Sequence, residues 1–394
     1  MNFEKAPERP SVEEAGKKEI AVKPEKKEFS PELKRAADFY RSMLLSEDMG
    51  INLQSKEIVE KMKSAGTSKD AARDLARVRS FIMRKIEEGT WREGNPLGSL
   101  FEDMLVVEGR HADLFGPDAN VVRSAEHDDI RNGVDLILEL PINPDEDYTE
   151  GNLARITIDA TVSENHEVLR SKLAGIKERP LRSVDHYISP TTDEPVKIEK
   201  APHVILNIPA FSLSRFIEKS GMAIFYPDPT GPKKNQYAAS GQRKKILEQY
   251  PAMRGLLDSI DAQLLTQSLA EMEVIGGSLK AADYSPETDE AIASVFAAGA
   301  MIGDPFSAKK DGRDKYFSAL DKMLYLVRLD MLKRTGRPFD PDLLLSRAAD
   351  AHKAVSASIN KKATERSAAG VAERSQPVIS PAFERAFRAA FGSA

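Results

Sequence analysis

Glu126-His127-Asp128-Asp129-Ile130-Arg131-Asn132-Gly133-Val134-Asp135-Leu136-Ile137-Leu138-Glu139-Leu140 is the stretch on which the reading of this chain turns. Asn132-Gly133 marks a tight turn, because both residues tolerate positive φ. A strand over 134–140 is expected to follow at once. Side chains alternate faces along a strand. Val134, Leu136, Leu138 and Leu140 therefore share one face, and Asp135, Ile137 and Glu139 the other. Asp128 and Asp129 read as turn residues bonded to their own backbone. With His127 they could instead form a second acidic patch assisting a metal.

Working outward, the next predicted strand is 154–163. Ile156, Ile158, Ala160 and Val162 form its buried face, and Arg155, Thr157, Asp159 and Thr161 the opposite one. An Asp inside an Ile- and Val-rich strand is costly unless it is paired or ligates a cation. Two such residues on adjacent strands, Asp135 and Asp159, can meet. Hard divalent cations take carboxylate oxygens, and a cation so held can activate water and stabilise charge on a phosphoryl group. The competing structural reading has Asp135 capping a turn and Asp159 pairing with an arginine such as Arg131. Around these strands the pattern predicts a helix over 97–115 closed by Gly116-Pro117, and a strand over 120–124. A helix over 164–178 stops before Pro180, and strands over 183–189 and 203–208 follow. The order is α-β-β-β-α-β-β.

Gly98-Ser99-Leu100-Phe101-Glu102 on the opening helix, Gly133-Val134-Asp135 at the second strand and Asp159-Ala160-Thr161 on the third together resemble the PD-(D/E)xK nucleases. In that family a Gly-x-x-Phe-Glu helix precedes a strand Asp and an Asp/Glu-x-Lys strand. The chain is also similar to bacterial proteins with the same Asn-Gly-Val-Asp core, a likeness that implies no specific activity. The nuclease resemblance implies a restriction-endonuclease-like αβββαβ core with a mixed sheet. It further implies Mg²⁺ or Mn²⁺ as cofactor, with Glu102, Asp135 and Asp159 as metal-site residues and DNA or RNA as substrate.

One residue departs from the pattern: Thr161 stands where the third-strand Lys belongs, and it carries no positive charge. Some members of the family supply the Lys from the following helix. Asp159 lies roughly 13 Å before the strand end. At about 1.5 Å per helical residue the matching level in an antiparallel helix is about nine residues in, near Lys172. Leu169, Leu173 and Ile176 form the buried stripe of that helix, and Lys172 and Lys177 flank it. Either long stem could carry its ammonium toward the sheet. Two readings of function follow: a metal-dependent phosphodiesterase, or a catalytically inactive nuclease-like scaffold that binds nucleic acid or protein.

The flanks read as helical. Residues 1–29 are rich in Glu, Lys and Pro and are expected to be disordered. Residues 30–92 suggest a helical N-terminal domain, opened by Ser30-Pro31 as N-cap and first helical position. Further helices are expected over 51–62 and, opened by Ser68-Lys69-Asp70, with Ala72, Leu75, Val78, Ile82 and Ile86 on one face. The α/β domain occupies 93–211, a helical C-terminal domain 212–363, and a linker with a short terminal helix 364–394. Phe383, Phe387 and Phe391 lie at i, i+4 and i+8, an amphipathic stripe expected to dock on the body of the chain. The C-terminal helices offer a protein-partner surface, and the sequence sets no oligomeric state.

The 394 residues include no Cys, which excludes disulfides, thiolate metal sites and Cys nucleophiles. The net charge of −5 is not the basic footprint usual for a nucleic-acid binder. Charge is locally segregated, however, with nine Lys or Arg against four Asp over 309–337. His166 and His186 belong to no motif, there is no HExxH pattern, and no P-loop is present. No apolar run approaches the roughly 20 residues of a membrane span. With no hydrophobic h-region near Met1, a cytoplasmic location is expected.

Overall fold

The computed structural model describes residues 30–46, 71–88, 96–225, 243–247, 250–337, 343–368 and 380–391. The N-terminal tail, the expected helix over 51–62, the Ser68-Lys69-Asp70 helix start and most of the 364–378 linker lie outside them. The protein is α/β, with a mixed five-stranded sheet in the order β1-β2-β3-β5-β4. Strands β1 (Asn120–Arg123), β2 (Leu136–Pro141) and β3 (Leu153–Val162) form an antiparallel meander. Strand β5 (Ile198–Ile208) runs parallel to β3, and β4 (Leu181–Val184) lies antiparallel at its outer edge.

The helices are α1 (Pro31–Ser46), α2 (Ala71–Glu87), α3 (Pro96–His111), α4 (Glu126–Asn132), α5 (His166–Glu178) and α6 (Ala210–Phe225). Continuing along the chain come α7 (Leu256–Ala281), α8 (Pro286–Ala300), α9 (Lys310–Thr335), α10 (Leu343–Ala368) and α11 (Pro381–Phe391). The Ser30 hydroxyl caps α1 by accepting from Leu33 N at 3.3 Å.

The alternation read from sequence divides the sheet. Leu136, Leu138, Leu140, Ile156, Ile158 and Ala160 face the main core, with Leu100, Phe101 and Met104 of α3 and with residues of α7 and α10. Leu33, Ala36 and Tyr40 of α1 belong to the same cluster. The opposite face carries two smaller clusters, one around Ile137, Val184 and Tyr187, the other where α5 and α11 cover Ile205. Every residue of β2 is thus buried, Glu139 included. Its carboxylate accepts from Arg155 Nε at 2.9 Å, Tyr187 Oη at 2.9 Å and Ser189 Oγ at 2.9 Å, so this buried charge is fully satisfied.

Three local expectations are corrected. Residues 126–132 are a helix, not a turn, and Gly133 is its left-handed C-cap at φ 64° and ψ 40°. Asn-Gly serves helix ends as well as hairpins, since both need positive φ. Strand β2 consequently starts two residues later than 134, and Val134 packs with Ile137 instead of sharing the face of Leu136. The opening helix stops at His111, four residues early, because Gly116 and the positive-φ residue Asp113 (φ 50°) turn the chain. The strand expected over 183–189 runs instead over β4, with Ile188 making only an isolated bridge to Pro195.

Beyond β4, the edge of β5 is covered by side chains. Gln263 of α7 accepts from Ile205 N at 2.9 Å and donates to Ile205 O at 2.9 Å, and Gln267 donates to His203 O at 2.8 Å. The two amides replace a neighbouring strand and satisfy backbone groups that burial would otherwise leave orphaned. Charge pairs tie the helices together. Asp261 (α7) accepts from Arg313 (α9) at 3.0 Å and contacts His352 Nδ1 (α10) at 2.6 Å. The stripe of α11 docks on its own chain: Phe383 and Phe387 are buried against Leu169, Leu173 and Ile176 of α5. No helix among the described residues is long and apolar enough to cross a membrane.

Candidate active site

The β2–β3 register builds the centre. Leu136 stands opposite Ile158 at the end of the ladder, with Asp135 just before it on one strand and Asp159 just after Ile158 on the other. Asp135 N donates at 2.9 Å to the O of the same Ile158, the bonding of a β-bulge, so Asp135 enters the site from the irregular start of β2. The Asp135 Oδ2 accepts from Ala160 N at 2.8 Å.

Helix α5 crosses the same face. Asn165 caps it by accepting from Glu167 N at 2.9 Å, and Leu169, Leu173 and Ile176 seat it on Ile205. Ile205 is the β5 partner of Asp159, so the helix lies directly over the acidic strand. The Lys172 Nζ reaches Asp159 Oδ1 at 2.6 Å. Lys172 thus lies beside Asp159, at the level that strand and helix rise give. Lys177 points away, donating to Ala390 O at 3.1 Å and lying over the Phe391 ring of α11. Thr161 on β3 is buried and contributes no charge. Among the described residues Arg131 makes no ion pair with either Asp, and the ion pair of Asp159 is with Lys172.

Two further carboxylates converge on the pair. Asp129, carried by α4, lies near enough for its charge to act on Asp135. Glu102 of α3 lies within electrostatic range of Asp129 and Asp159. Its Oε2 accepts from Arg123 at 2.7 Å, and the same guanidinium holds Asp103 at 2.6 Å. Burial raises the Asp135 pKa well above the carboxylate range, and the charges of Asp159, Glu102 and Asp129 push it higher still. Asp159 is raised by burial and drawn back by Lys172. Glu102 and Asp129 are raised chiefly by burial, each with Arg123 opposing.

Sequence reasoning overlooked three residues. Arg123 is the counter-charge of Glu102. Arg182 on β4 lies near Asp159, its pKa lowered by burial and Arg179, with Nε buried and without a hydrogen bond. His203, the β5 partner of Thr157, is buried and held down to about 3 by desolvation, then by Arg182 and Lys172. Its Nδ1 contacts Thr157 Oγ1 at 3.1 Å. None of these carries a local motif. Asp129 was legible only as part of a charge run.

Asp128, beside it, is not bonded to its own backbone as expected of a turn. It accepts from Asp185 N at 2.9 Å, His186 N at 3.1 Å and Asn132 Nδ2 at 2.8 Å. Among the described residues, the sets with all ligand atoms within 4.8 Å of one another are Asp74, His127 and His186, and His127, Asp128 and Asp185. Asp135, Asp159, Asp129 and Glu102 form no such set.

Comparison with family models, with curated proteins and with solved structures returned no match.

Proposed function

We propose that the protein is a divalent-cation-dependent phosphodiesterase acting on DNA or RNA. The observation that carries this reading is Lys172 Nζ at 2.6 Å from Asp159 Oδ1, a cation delivered from the following helix to the acidic strand that lacks one. The order α3, β1, β2, β3, α5, β5 fits the restriction-endonuclease-like core that the sequence resembles, with α4 and β4 as additions. The donor set suits a hard cation, being oxygen only, and burial, with neighbouring carboxylates at Asp135, raises the pKa values of Asp135 and Asp159. Asp135 and Asp159, joined by Asp129 or Glu102, would hold Mg²⁺ or Mn²⁺. Such an ion would supply Lewis acidity toward a phosphoryl oxygen.

The chain's own groups supply the rest. Lys172 neutralises Asp159 at rest and offers its ammonium to charge developing on the phosphate. Arg182, with a buried and unbonded Nε, offers a second donor to a phosphate oxygen. Arg123 keeps Glu102 and Asp103 aligned.

The long basic helix α9 is a weaker contributor than its composition suggests. Arg313 is buried on Asp261, Lys310 pairs with Asp314, and Arg328 and Arg334 bond Ser346 and the Asp283 carbonyl. A specific observation favours the alternative of an inactive nuclease-like scaffold: Glu102 is already committed to Arg123. The test is metal-dependent cleavage of a panel of single- and double-stranded DNA and RNA. Cleavage by the wild type and its loss in Asp159→Ala is the expected result. Identical behaviour of the two proteins removes the phosphodiesterase reading. Cation binding without cleavage supports the scaffold.

A further inference from the structure

We propose that Asp74, His127 and His186 form a second cation site, selective for a borderline divalent ion of the zinc class and distinct from the carboxylate cluster. The three residues come from separate segments. Asp74 lies in the first turn of α2, His127 near the start of α4, and His186 two residues after β4. Their ligand atoms all lie within 4.8 Å of one another.

The histidines are the independent evidence. His127 is 4% exposed and His186 2%, with ring centroids 5.1 Å apart and planes at 74°. Among the described residues, neither nitrogen of His186 has a hydrogen-bond partner, and neither does Nδ1 of His127. A core histidine ordinarily satisfies its ring nitrogens with a carbonyl, a carboxylate or a hydroxyl. Here three buried ring nitrogens lack one, and one nitrogen from each ring lies within 4.8 Å of the other and of an Asp74 oxygen.

The spacing suits ligands better than hydrogen-bond partners. Asp74 Oδ2 is 3.5 Å from His186 Nε2, and Asp128 Oδ1 is 3.9 Å from His127 Nδ1. Both exceed hydrogen-bond length. A tetrahedral ion with bonds of roughly 2.0–2.1 Å sets its ligands about 3.3–3.4 Å apart, close to the Asp74–His186 separation.

Asp128 is the positioning residue. Its oxygens are taken by the backbone N–H groups of Asp185 and His186, which ties the His186 segment to the helix bearing His127. Two imidazoles with one carboxylate favour Zn²⁺ or Co²⁺ over Mg²⁺, whereas the Asp135–Asp159 centre offers oxygen alone. An ion here would clamp α2 to the α/β body.

The test uses the tag-free full chain, stripped with EDTA and titrated with Co²⁺ and then Zn²⁺. One equivalent of Co²⁺ is expected to bind with visible d–d bands that Zn²⁺ displaces. His127→Gln and His186→Gln should each weaken binding at least tenfold, with circular dichroism reporting their folds. Asp159→Asn should bind Co²⁺ like the wild type, so loss of this site and loss of the phosphodiesterase reading are separable. Wild-type binding no stronger than that of the double histidine variant overturns the proposal. If the variants unfold, imidazole NMR of the wild type decides: Zn²⁺ must shift the ring resonances of two histidines, and unshifted rings overturn the proposal.

Discussion

Asp135→Asn is predicted to stabilise the ion-free protein at neutral pH while abolishing its cation binding. Asp135 lies one residue beyond the Leu136–Ile158 pair, next to Asp159, and its carboxyl feels the charges of Asp159, Glu102 and Asp129. Side chains on neighbouring strands start roughly 5 Å apart, and two full carboxylate charges at that distance repel by about 3 kcal/mol at an effective dielectric of 20. Protonating one of them relieves part of this. So does the hydrogen bond from Ala160 N, which contributes about 1–2 kcal/mol and which the Asn carbonyl oxygen retains.

The net gain is therefore about 1–2 kcal/mol, a rise in Tm of roughly 1–2.5 °C for a chain of this size. The pH dependence has a definite sign. The native protein holds a proton on Asp135 more tightly than the unfolded chain does, so wild-type stability falls as pH rises from the ordinary carboxylate pKa, about 4, through the raised one. The difference between variant and wild type should vanish near pH 4 and be full at pH 8. Thermal melts at both pH values in EDTA measure it, and Mg²⁺ should then stabilise the wild type alone. An Asp135→Asn protein that melts at or below the wild type at pH 8 would refute the crowded-carboxylate reasoning.

Other outcomes follow from the same contacts. Lys172→Met should abolish cleavage by at least 100-fold and raise the Asp159 pKa further, whereas Lys177→Met should leave kcat/KM unchanged; single-turnover assays compare them. Phe387→Ala removes a buried ring and should cost about 3–5 kcal/mol of α11 docking, read as faster proteolysis or hydrogen exchange over 380–391. Asp261→Ala leaves Arg313 and His352 buried without their partner and should cost about 3–5 kcal/mol by denaturant unfolding. Burial opposes ionisation of Asp261, but His352 and Arg313 hold its pKa below the carboxylate range. Its contribution is thus complete above about pH 4 and lost as pH falls through the lowered pKa, so the variant should show a weaker acid transition.

The strands were legible because a period of two is a local property. Ile156, Ile158 and Ala160 could be assigned to one face, and Asp159 to the other, without knowing any neighbour. Lys172 was reachable by adding strand rise to helix rise, since an α/β crossover fixes the helix antiparallel to its strand. Residues 126–132 were misread for the same local reason. Asn-Gly closes a helix or a hairpin equally well, and a seven-residue helix rich in acids shows too little apolar periodicity to be distinguished. Its consequence was large, because the helix sends Asp129 toward Asp135 and turns His127 toward His186.

The residue types and their alternation determined an α/β chain and marked Asp135, Asp159 and a lysine of the next helix, Lys172 or Lys177, as its candidate site. Those rest on backbone periodicity and on spacings within about 40 residues. Tertiary structure decided what sequence distance conceals. Arg123 belongs to Glu102, Gln263 and Gln267 finish the edge of β5, Lys177 faces α11, and two histidines 59 positions apart, His127 and His186, meet in the interior. Such pairings depend on which surfaces pack together, and packing is settled by the whole core at once.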